Sequence, residues 1–266
     1  MAEKKKLAIL CDYGLDDLAA TAYILGRAEH FEKIDILAVG GNFPLDVTFL
    51  NAKRIIDSLD APPKNLRLVD TSSVYQFGED IPHIHGADGM GNVLPSPDEN
   101  IHERIIALPY EEWLETLDDN YILLSLGPCT VTLDILKRKG SLPLVLMAGN
   151  IAEEPNFNGY EFNHALDIPA FAECVKYPHA AATLDTCHAP LCDFYKLSVD
   201  GDSLLHRAAR RAAELARGRN DLSCPVYDLV AAVYLFHPER FALELLTDKD
   251  GNKVNVLKYI SELPLI

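Results

Sequence analysis

The amino-acid sequence predicts an α/β protein with an open, mostly parallel sheet and helices on both faces, followed by a C-terminal helical part and a β-hairpin. Short apolar runs alternate with segments of helical periodicity along most of the 266 residues, which is the pattern of βα units. Several of these runs show no polar alternation, as expected of strands that are buried on both faces. Hydrophobic residues make up 48% of the chain, enough for a large core in one domain spanning residues 1–266.

The predicted elements follow one another along the chain. The strands are predicted at 7–11, 33–39, 66–69, 121–126, 142–147 and 181–184. Helices are predicted at 16–30, 46–59, 130–139, 168–176, 202–217 and 226–236. Residues 241–257 place Asp250-Gly251 between two β-prone segments, which favours a hairpin. Two stretches, 70–100 and 153–163, have little periodicity, so we expect long loops there that are functional or mobile.

Composition restricts the partners and the location of the protein. A net charge of −16 repels nucleic acid and anionic membranes, so we expect neither as a partner. No apolar run is long enough to span a membrane, and residues 1–10 do not resemble a signal peptide, so a cytoplasmic protein is expected. The six cysteines form no CxxC pair and the nine histidines show no zinc-site spacing, so the sequence supports neither a disulfide framework nor a zinc site.

The most informative segment follows the first predicted strand. Asp12, Gly14 and the pair Asp16-Asp17 come directly after the apolar run 7–11, at the start of the next helix. Three carboxylates at one strand-to-helix turn repel one another and lose hydration unless something compensates them. Capping of the helix N-terminus can compensate one carboxylate, and a hard divalent cation such as Ca²⁺ or Mg²⁺ can compensate the others. The motif alone is therefore explained either by ordinary capping or by a metal site.

Further polar residues stand where other predicted strands end. Asn42 follows the second strand, Gly127 the fourth and Asn150 the fifth. Open parallel sheets bind their ligands in a crevice outside the carboxyl ends of the strands. We therefore expect these positions and Asp12 to border one crevice.

Seven sequence blocks stand in a fixed order between residues 7 and 230. They are 11–17 (CDYGLDD), Gly41-Asn42 with Asn51-Ala52, 85–89 (HGADG), 126–130 (LGPCT), 147–149 (MAG), 161–163 (EFN) and Tyr227-Asp228. In this order the blocks resemble the signature of the nucleoside hydrolase family, and the chain is similar to its inosine/uridine-preferring type as a divergent member. The chain departs from the family pattern at Leu10, where the first Asp of the motif usually stands, and at Tyr13, where Pro is usual.

The resemblance implies a Ca²⁺-dependent enzyme that hydrolyses the N-glycosidic bond of a small-molecule ribonucleoside, giving free base and ribose. The residues that it implies as Ca²⁺ ligands are Asp12, Asp17, Asp228 and, through its backbone carbonyl, Leu126. Asp12 would also be the general base that activates water. The residues that it implies around the ribose are Asp16, Asn42, Met147, Glu161, Asn163 and, with Asn158 as a substitute, Asn156. By the same resemblance we expect a homo-oligomer, a dimer or a tetramer.

Several alternatives stay open at this stage. The leaving base is protonated by Tyr227, His85, His164 or Cys224 or departs with help from solvent, and the sequence does not choose between these alternatives. The region 213–225, expected to flank the base, offers Arg217, Arg219 and Asn220 and no recognisable aromatic. Two other functions compete with hydrolysis. One is a catalytically silent or altered-specificity relative that binds ribose or a nucleoside, and the other is a Mg²⁺-dependent phosphoryl-aspartate protein.

Overall fold

A computed structural model describes residues 4–189, 192–196 and 201–261. Its nine strands are β1 (Lys6–Cys11), β2 (Lys33–Ala38), β3 (Leu66–Asp70), β4 (Ala107–Pro109), β5 (Tyr121–Ser125), β6 (Leu144–Met147), β7 (His179–Ala182), β8 (Phe241–Thr247) and β9 (Lys253–Tyr259). They form one sheet in the order β4-β3-β2-β1-β5-β6-β7-β9-β8. All neighbours pair in parallel except β8 and β9, which form the predicted antiparallel hairpin.

Helices cover both faces of this sheet. The α-helices of the described residues are α1 (Leu15–Leu25), α2 (Leu45–Asp57), α3 (Pro82–His85), α4 (Ile101–Arg104), α5 (Tyr110–Glu115), α6 (Thr130–Lys139), α7 (Phe162–Leu166), α8 (Ile168–Cys174), α9 (Leu184–Cys187), α10 (Leu204–Gly218) and α11 (Tyr227–Phe236). Two 3₁₀ turns occupy Ala28–His30 and Pro238–Arg240. None of the helices in the described ranges combines the length and the apolar character that a membrane crossing requires.

The central strand β1 shows why its sequence is continuously apolar. Leu7 and Ile9 pack in one core together with residues of α1, α10 and α11, whereas Ala8 and Leu10 pack in a second core with residues of α5, α6 and α8. Alternate side chains of a strand point to opposite faces, and both faces are covered here. The predicted fold class is therefore confirmed. Leu10, which replaces a usual Asp of the family motif, belongs to the core.

Some predicted boundaries are wrong, and the reasons are local. The predicted helix 16–30 ends at Leu25 because Gly26 follows it, and the strand predicted at 181–184 lies at His179–Ala182 because Leu184 begins α9. The long loops contain short helices: α3 lies within 70–100, and α7 begins at the end of 153–163. The prediction also missed β4 and α5, since three and six residues are too short for a periodicity to emerge.

The C-terminal hairpin joins the parallel sheet through β9. Only Ala181 and Val256 stand in register between β7 and β9. A side chain reinforces this junction, because the backbone N–H of Asn255 donates to His179 Nε2 at 2.9 Å, and His179 Nδ1 lies 2.8 Å from the carbonyl oxygen of Tyr177. The hairpin is thus held at the edge of the sheet by few main-chain contacts and a buried imidazole.

Candidate active site

A cavity of about 690 Å³ opens at the carboxyl ends of the central strands. β1 lies between β2 and β5. Strands β2 to β4 follow on one side of β1 and β5 to β7 on the other, so the strand order reverses at β1, and a crevice forms at such a point. Most residues proposed from the sequence line this cavity: Asp12, Asp16, Asn42, His85, Leu126, Met147, Asn156, Glu161, Asn163, Tyr227 and Asp228. Asp17 is fully buried beside them. We call the group of Asp12, Asp16, Asp17, Asn42 and Asp228 the acidic floor of the cavity.

Asp12 is held in place by the loop that follows β2. It is 1% exposed, and its Oδ2 accepts the backbone N–H of Asn42 at 2.8 Å. The side chain of Asn42 donates to Asp12 Oδ1 at 3.0 Å. The close approach depends on Gly41, since a Cβ there would lie 1.9 Å from Asp12 Oδ2. The Gly-Asn pair after β2 therefore orients the carboxylate of Asp12.

Asp17 is held by the start of α1. Its Oδ2 accepts the backbone N–H of Gly14 at 2.8 Å, just before the helix begins. The preceding residue, Tyr13, has a φ of 32°, which lies in the left-handed region. This conformation is energetically unfavourable for a residue with a bulky side chain. The position where the family usually has Pro is thus a strained turn whose aromatic side chain is buried. This turn places Asp12 and Asp17 on one side of the cavity floor.

Three carboxylates of the floor could hold a metal ion. One oxygen each from Asp16, Asp17 and Asp228 lies within 4.8 Å of the others. Asp12, which the sequence placed among the metal ligands, is outside this closest group, and Asp16, which it placed at the ribose, is inside it. The Leu126 carbonyl accepts the side-chain N–H of Asn163 at 2.8 Å and retains its second lone pair.

The electrostatics of the floor favour a cation. Burial and then mutual repulsion raise the pKa of Asp12 and of Asp228 well above the usual range, and they raise the pKa of Asp17 to about 7. Among the ion pairs of the described residues, none joins these three side chains to lysine or arginine. Asp16 Oδ1 and Asp17 Oδ1 are buried without a hydrogen-bond partner. Oxygen donors with spare capacity and uncompensated charge fit a hard divalent ion.

Glu161 and Asn163 form one side of the cavity at the start of α7. Glu161 caps the helix, because its carboxylate accepts the backbone N–H groups of Asn163 and His164, both at 2.9 Å, and that of Gly149 at 2.8 Å. Burial nevertheless raises its pKa to about 7. Asn163 donates to the carbonyls of Leu126 and Met147, and its Oδ1 is buried without a partner. A buried acceptor without a donor suits a ligand hydroxyl.

The sequence left two candidate asparagines in the preceding loop, and the structure separates them. Asn156 lines the cavity. Asn158, with a φ of 44°, belongs to a tight turn closed by mutual backbone hydrogen bonds between Phe157 and Tyr160. Asn158 is therefore explained by the turn, because asparagine tolerates the left-handed conformation.

The candidates for the leaving-group acid also separate. His85, Tyr227 and Cys224 line the cavity, whereas His164 is not among the lining residues of the described chain. The backbone N–H of Leu15 donates to His85 Nδ1 at 3.1 Å, which leaves the ring proton of a neutral imidazole on Nε2. Burial lowers the pKa of His85 and raises the pKa of Cys224 to about 12. Both groups therefore stay neutral near pH 7.

Tyr227 is connected to a second histidine of the cavity, His188. Its hydroxyl lies 3.4 Å from His188 Nε2, and His188 Nδ1 lies 3.0 Å from Glu153 Oε2. Burial, followed by the neighbouring Cys187 and Asp16, raises the pKa of Tyr227, so the phenol remains protonated. His188 lines the cavity, and its 39-residue separation from Tyr227 gave no sequence signal for this contact.

The outer part of the cavity is formed by residues that, apart from Arg219, sequence reasoning missed. We call the group of Ile81, Ile84, Phe157, Arg219 and Leu222 the outer wall. Arg219 donates to the carbonyls of His83 and Ile84, so it ties the segment after α10 to α3. The aromatic residues expected near a base are absent from 213–225 but present elsewhere, because Phe157, Phe162 and Phe194 line the cavity. Phe157, an aromatic residue in the polar loop before Glu161, was the one sequence feature that could have indicated this part of the cavity.

Comparison with known proteins agrees with this geometry. The family model described as inosine-uridine preferring nucleoside hydrolase matches residues 7–258. An uncharacterised protein of Schizosaccharomyces pombe is 27% identical over 221 residues, which are 79% of this chain and span 66% of that relative. The chain superposes on a purine-preferring ribonucleoside hydrolase from Gardnerella vaginalis with a TM-score of 0.73 at 20% identity, covering 98% of this chain and 94% of that one. It superposes on a plant nucleoside hydrolase with a TM-score of 0.72 at 17% identity, covering 96% and 87%.

The chain therefore belongs to the inosine-uridine-preferring nucleoside hydrolase family, as the seven sequence blocks indicated. The two superpositions show that it has the fold of nucleoside hydrolases. Family membership also favours the predicted resemblance over the phosphoryl-aspartate alternative.

Proposed function

We propose that this protein hydrolyses the N-glycosidic bond of ribonucleosides and releases free base and ribose. The observation that carries the proposal is the acidic floor, where Asp12, Asp16, Asp17 and Asp228 converge at the strand ends of a nucleoside hydrolase-family chain. Positive charge grows on the sugar as a glycosidic bond breaks, so nearby carboxylates stabilise the transition state more than the ground state.

Ca²⁺ is the proposed cofactor. The residues proposed to hold it are Asp12, Asp17, Asp228 and the carbonyl of Leu126, with Asp16 as an additional neighbour. Such an ion, when bound, lowers the pKa of a nearby water into the range where a carboxylate can deprotonate it. The uncompensated oxygens of Asp16 and Asp17 support this assignment.

Asp12 is the proposed general base. A base must be oriented toward the attacking water, and the two hydrogen bonds from Asn42 provide that orientation. Burial raises the pKa of Asp12, which strengthens the carboxylate as a base. In the proposed reaction the water oxygen bonds to the anomeric carbon while its proton moves to Asp12, and the bond from carbon to the base nitrogen breaks. A single displacement of this kind inverts the configuration.

The ribose is proposed to lie between the acidic floor and α7. The residues proposed to contact it are Asp16, Asn42, Met147, Asn156, Glu161 and Asn163. The free Oδ1 of Asn163 supports a bond from a sugar hydroxyl, and the pKa of Glu161 near 7 allows its carboxyl group to accept or donate.

Protonation of the leaving base is assigned to His85 or Tyr227. His85, whose ring is neutral near pH 7, would assist by donating a hydrogen bond from Nε2 to the departing base, since its Nδ1 accepts the N–H of Leu15. Tyr227 would donate from its hydroxyl and recover a proton through His188, which stands behind it. Both side chains line the cavity, so the choice is left to the substrate comparison below.

Three wider expectations accompany the proposal. We expect one domain over residues 1–266, a cytoplasmic location and a homo-oligomer, a dimer or tetramer. Sedimentation analysis of the purified protein measures the last of these, and cell fractionation measures the location.

The experiment that tests the proposal is the release of free ribose from a panel of purine and pyrimidine ribonucleosides and from p-nitrophenyl riboside, with Ca²⁺ and with a chelator. Metal-dependent release from natural nucleosides is the expected result, and it also identifies the preferred base. Release from the activated riboside alone means that the floor works but leaving-group protonation does not. No release from any compound contradicts the proposal and favours a silent nucleoside-binding relative.

A further inference from the structure

A second cluster of possible metal ligands lies outside the cavity. The turn between β8 and β9 carries Asp248 and Asp250, and it meets His164 of α7. One ligand atom from each of the three side chains lies within 4.8 Å of the others. We infer that His164, Asp248 and Asp250 form a second site, for a divalent transition ion of the Zn²⁺ type. This inference does not depend on the proposed hydrolase function.

The strongest support is the state of His164. The residue is 1% exposed, and neither Nδ1 nor Nε2 has a hydrogen-bond partner. A buried imidazole normally satisfies at least one nitrogen, because leaving both unpaired forfeits its hydration without return. A metal ion bound between His164 and the two carboxylates would satisfy one nitrogen directly.

Packing holds the imidazole in a fixed orientation. The His164 ring stacks on Phe171 with centroids 3.9 Å apart, and the Tyr160 ring contacts it at 4.6 Å. Burial lowers the pKa of His164 to about 4, so the ring is neutral at pH 7, which is the form that binds metals. A pre-oriented, neutral imidazole loses little entropy when it coordinates an ion.

Two carboxylates supply the other ligands, and one of them is buried whereas the other is exposed. Asp248 is 7% exposed, and its Oδ1 accepts the backbone N–H groups of Asp250 and Asn252, while its Oδ2 accepts Asn252 Nδ2 at 2.9 Å. Oδ2, which accepts one bond, keeps a lone pair for an ion. Asp250 is exposed, so an ion can reach the site from solvent.

The surroundings decide which ion fits. The ammonium group of Lys249 lies 3.2 Å from the Tyr160 ring centroid and donates to the carbonyl of Gly159. This neighbouring positive charge weakens any purely electrostatic cation site. Ca²⁺ depends on such electrostatics and on many oxygens, whereas Zn²⁺ gains from an imidazole nitrogen and needs fewer ligands. The chemistry of the donors therefore favours Zn²⁺.

An ion at this site would join the hairpin to the segment that carries the cavity residues Glu161 and Asn163. The backbone N–H of His164 already donates to Glu161 Oε2 at 2.9 Å. The ion itself would lie behind α7, because His164 is not among the cavity-lining residues of the described chain. We expect it to stabilise the fold and to leave the chemistry to the floor.

The test is a count of bound Zn²⁺ on the full chain in the presence of saturating Ca²⁺, by equilibrium dialysis and elemental analysis. The wild type is expected to bind one more Zn²⁺ than Asp250→Asn and His164→Gln. Asp250 is exposed, so its variant is expected to fold even if the core substitution at His164 does not. Glu244→Gln removes the same charge from an exposed position of β8 and is expected to retain the ion.

Thermal unfolding gives a second readout. Zn²⁺ is expected to raise the unfolding temperature of the wild type and of Glu244→Gln, and to leave that of Asp250→Asn unchanged. Equal Zn²⁺ binding by the wild type and Asp250→Asn overturns the inference. Loss of the ion from Asp250→Asn but full retention by a folded His164→Gln also overturns it, because the ion would then be bound by surface carboxylates alone. Neither measurement uses nucleoside turnover, so failure here is distinct from failure of the proposed function.

Discussion

The acidic floor and the outer wall of the cavity are built in different ways. The floor consists of residues that follow β1 and β2 or begin α1 and α11, and the carboxylates of Asp12 and Asp17 are buried and accept backbone N–H groups. The outer wall comes from α3, the loop before α7 and the segment after α10, and one of its residues, Leu222, is 100% exposed. The difference is that the sheet positions the groups proposed to cleave the bond, while connecting segments shape the part of the cavity proposed to hold the base.

The chemistry of the two regions differs as well. The floor concentrates carboxylates, which suits the cation and the positively charged transition state of the proposed reaction. The outer wall is apolar apart from Arg219, whose guanidinium bonds to backbone carbonyls of the neighbouring helix. Substitutions in the floor should therefore change turnover of every substrate, whereas substitutions in the outer wall should change which substrate is preferred.

The largest effect is expected for Asp12→Ala. Loss of the general base should lower kcat about 10³-fold for natural nucleosides and for p-nitrophenyl riboside alike. The fold should persist, because the substitution also removes repulsion among buried carboxylates. Circular dichroism checks the fold, and Asp119→Ala, at an exposed position, is the matched control that should keep full activity. Unchanged turnover in Asp12→Ala would remove the mechanism proposed for the floor.

A smaller and selective effect is expected for the leaving-group candidates. His85→Gln can still accept the N–H of Leu15 but lacks the imidazole N–H at Nε2 that is proposed to assist the departing base. If His85 assists the leaving base, the kcat of His85→Gln for natural nucleosides should fall about 10²-fold, and its kcat for p-nitrophenyl riboside should be nearly unaffected. Tyr227→Phe, measured in parallel, should then show the smaller loss. The reverse order assigns the proton to Tyr227, and equal losses on both substrates would contradict a leaving-group role for either.

Leu222→Ala tests the outer wall directly. We expect KM to rise about threefold for the preferred nucleoside while kcat is unchanged, because the side chain offers apolar contact to the base and touches no reacting atom. Since Leu222 is exposed in the free protein, its removal should not affect stability. Leu243→Ala on β8, also exposed, is the control. A fall in kcat with constant KM would contradict the expectation that the outer wall affects substrate binding and the floor affects turnover.

The smallest effect concerns the sheet that supports both regions. Burial lowers the pKa of His179, so below pH 6.5 the folded protein binds fewer protons than the unfolded chain, and the free energy of unfolding falls as the pH drops through that range. His179→Gln should reduce this dependence, whereas the exposed His102→Gln should not. Urea unfolding at several pH values between 7.5 and 5 measures it, and an unaltered pH dependence in His179→Gln would refute the assignment.

Local sequence was sufficient for the sheet and for the acidic floor. The unbroken apolar run of β1 predicted burial on both faces, and Asp12, Asp17 and Asn42 were identified because each stands within a few residues of a strand end. Parallel strands bring their carboxyl ends to one edge, so order along the chain translates directly into proximity there. Elements without such a repeat, β4 and α5, were missed because they are too short to show a period.

Only the tertiary structure determined which residues form the outer wall and which form the second cluster of possible metal ligands. Arg219 meets Ile84 across 135 residues, and His188 meets Tyr227 across 39. His164 meets Asp248 and Asp250 through the hairpin at the far edge of the sheet, although the histidine spacing had given no sequence support for zinc. Such contacts follow from how helices and hairpins pack on the sheet, and no local pattern of residues encodes that packing. Sequence thus determined the fold class and proposed the reacting groups, and packing decided what surrounds them.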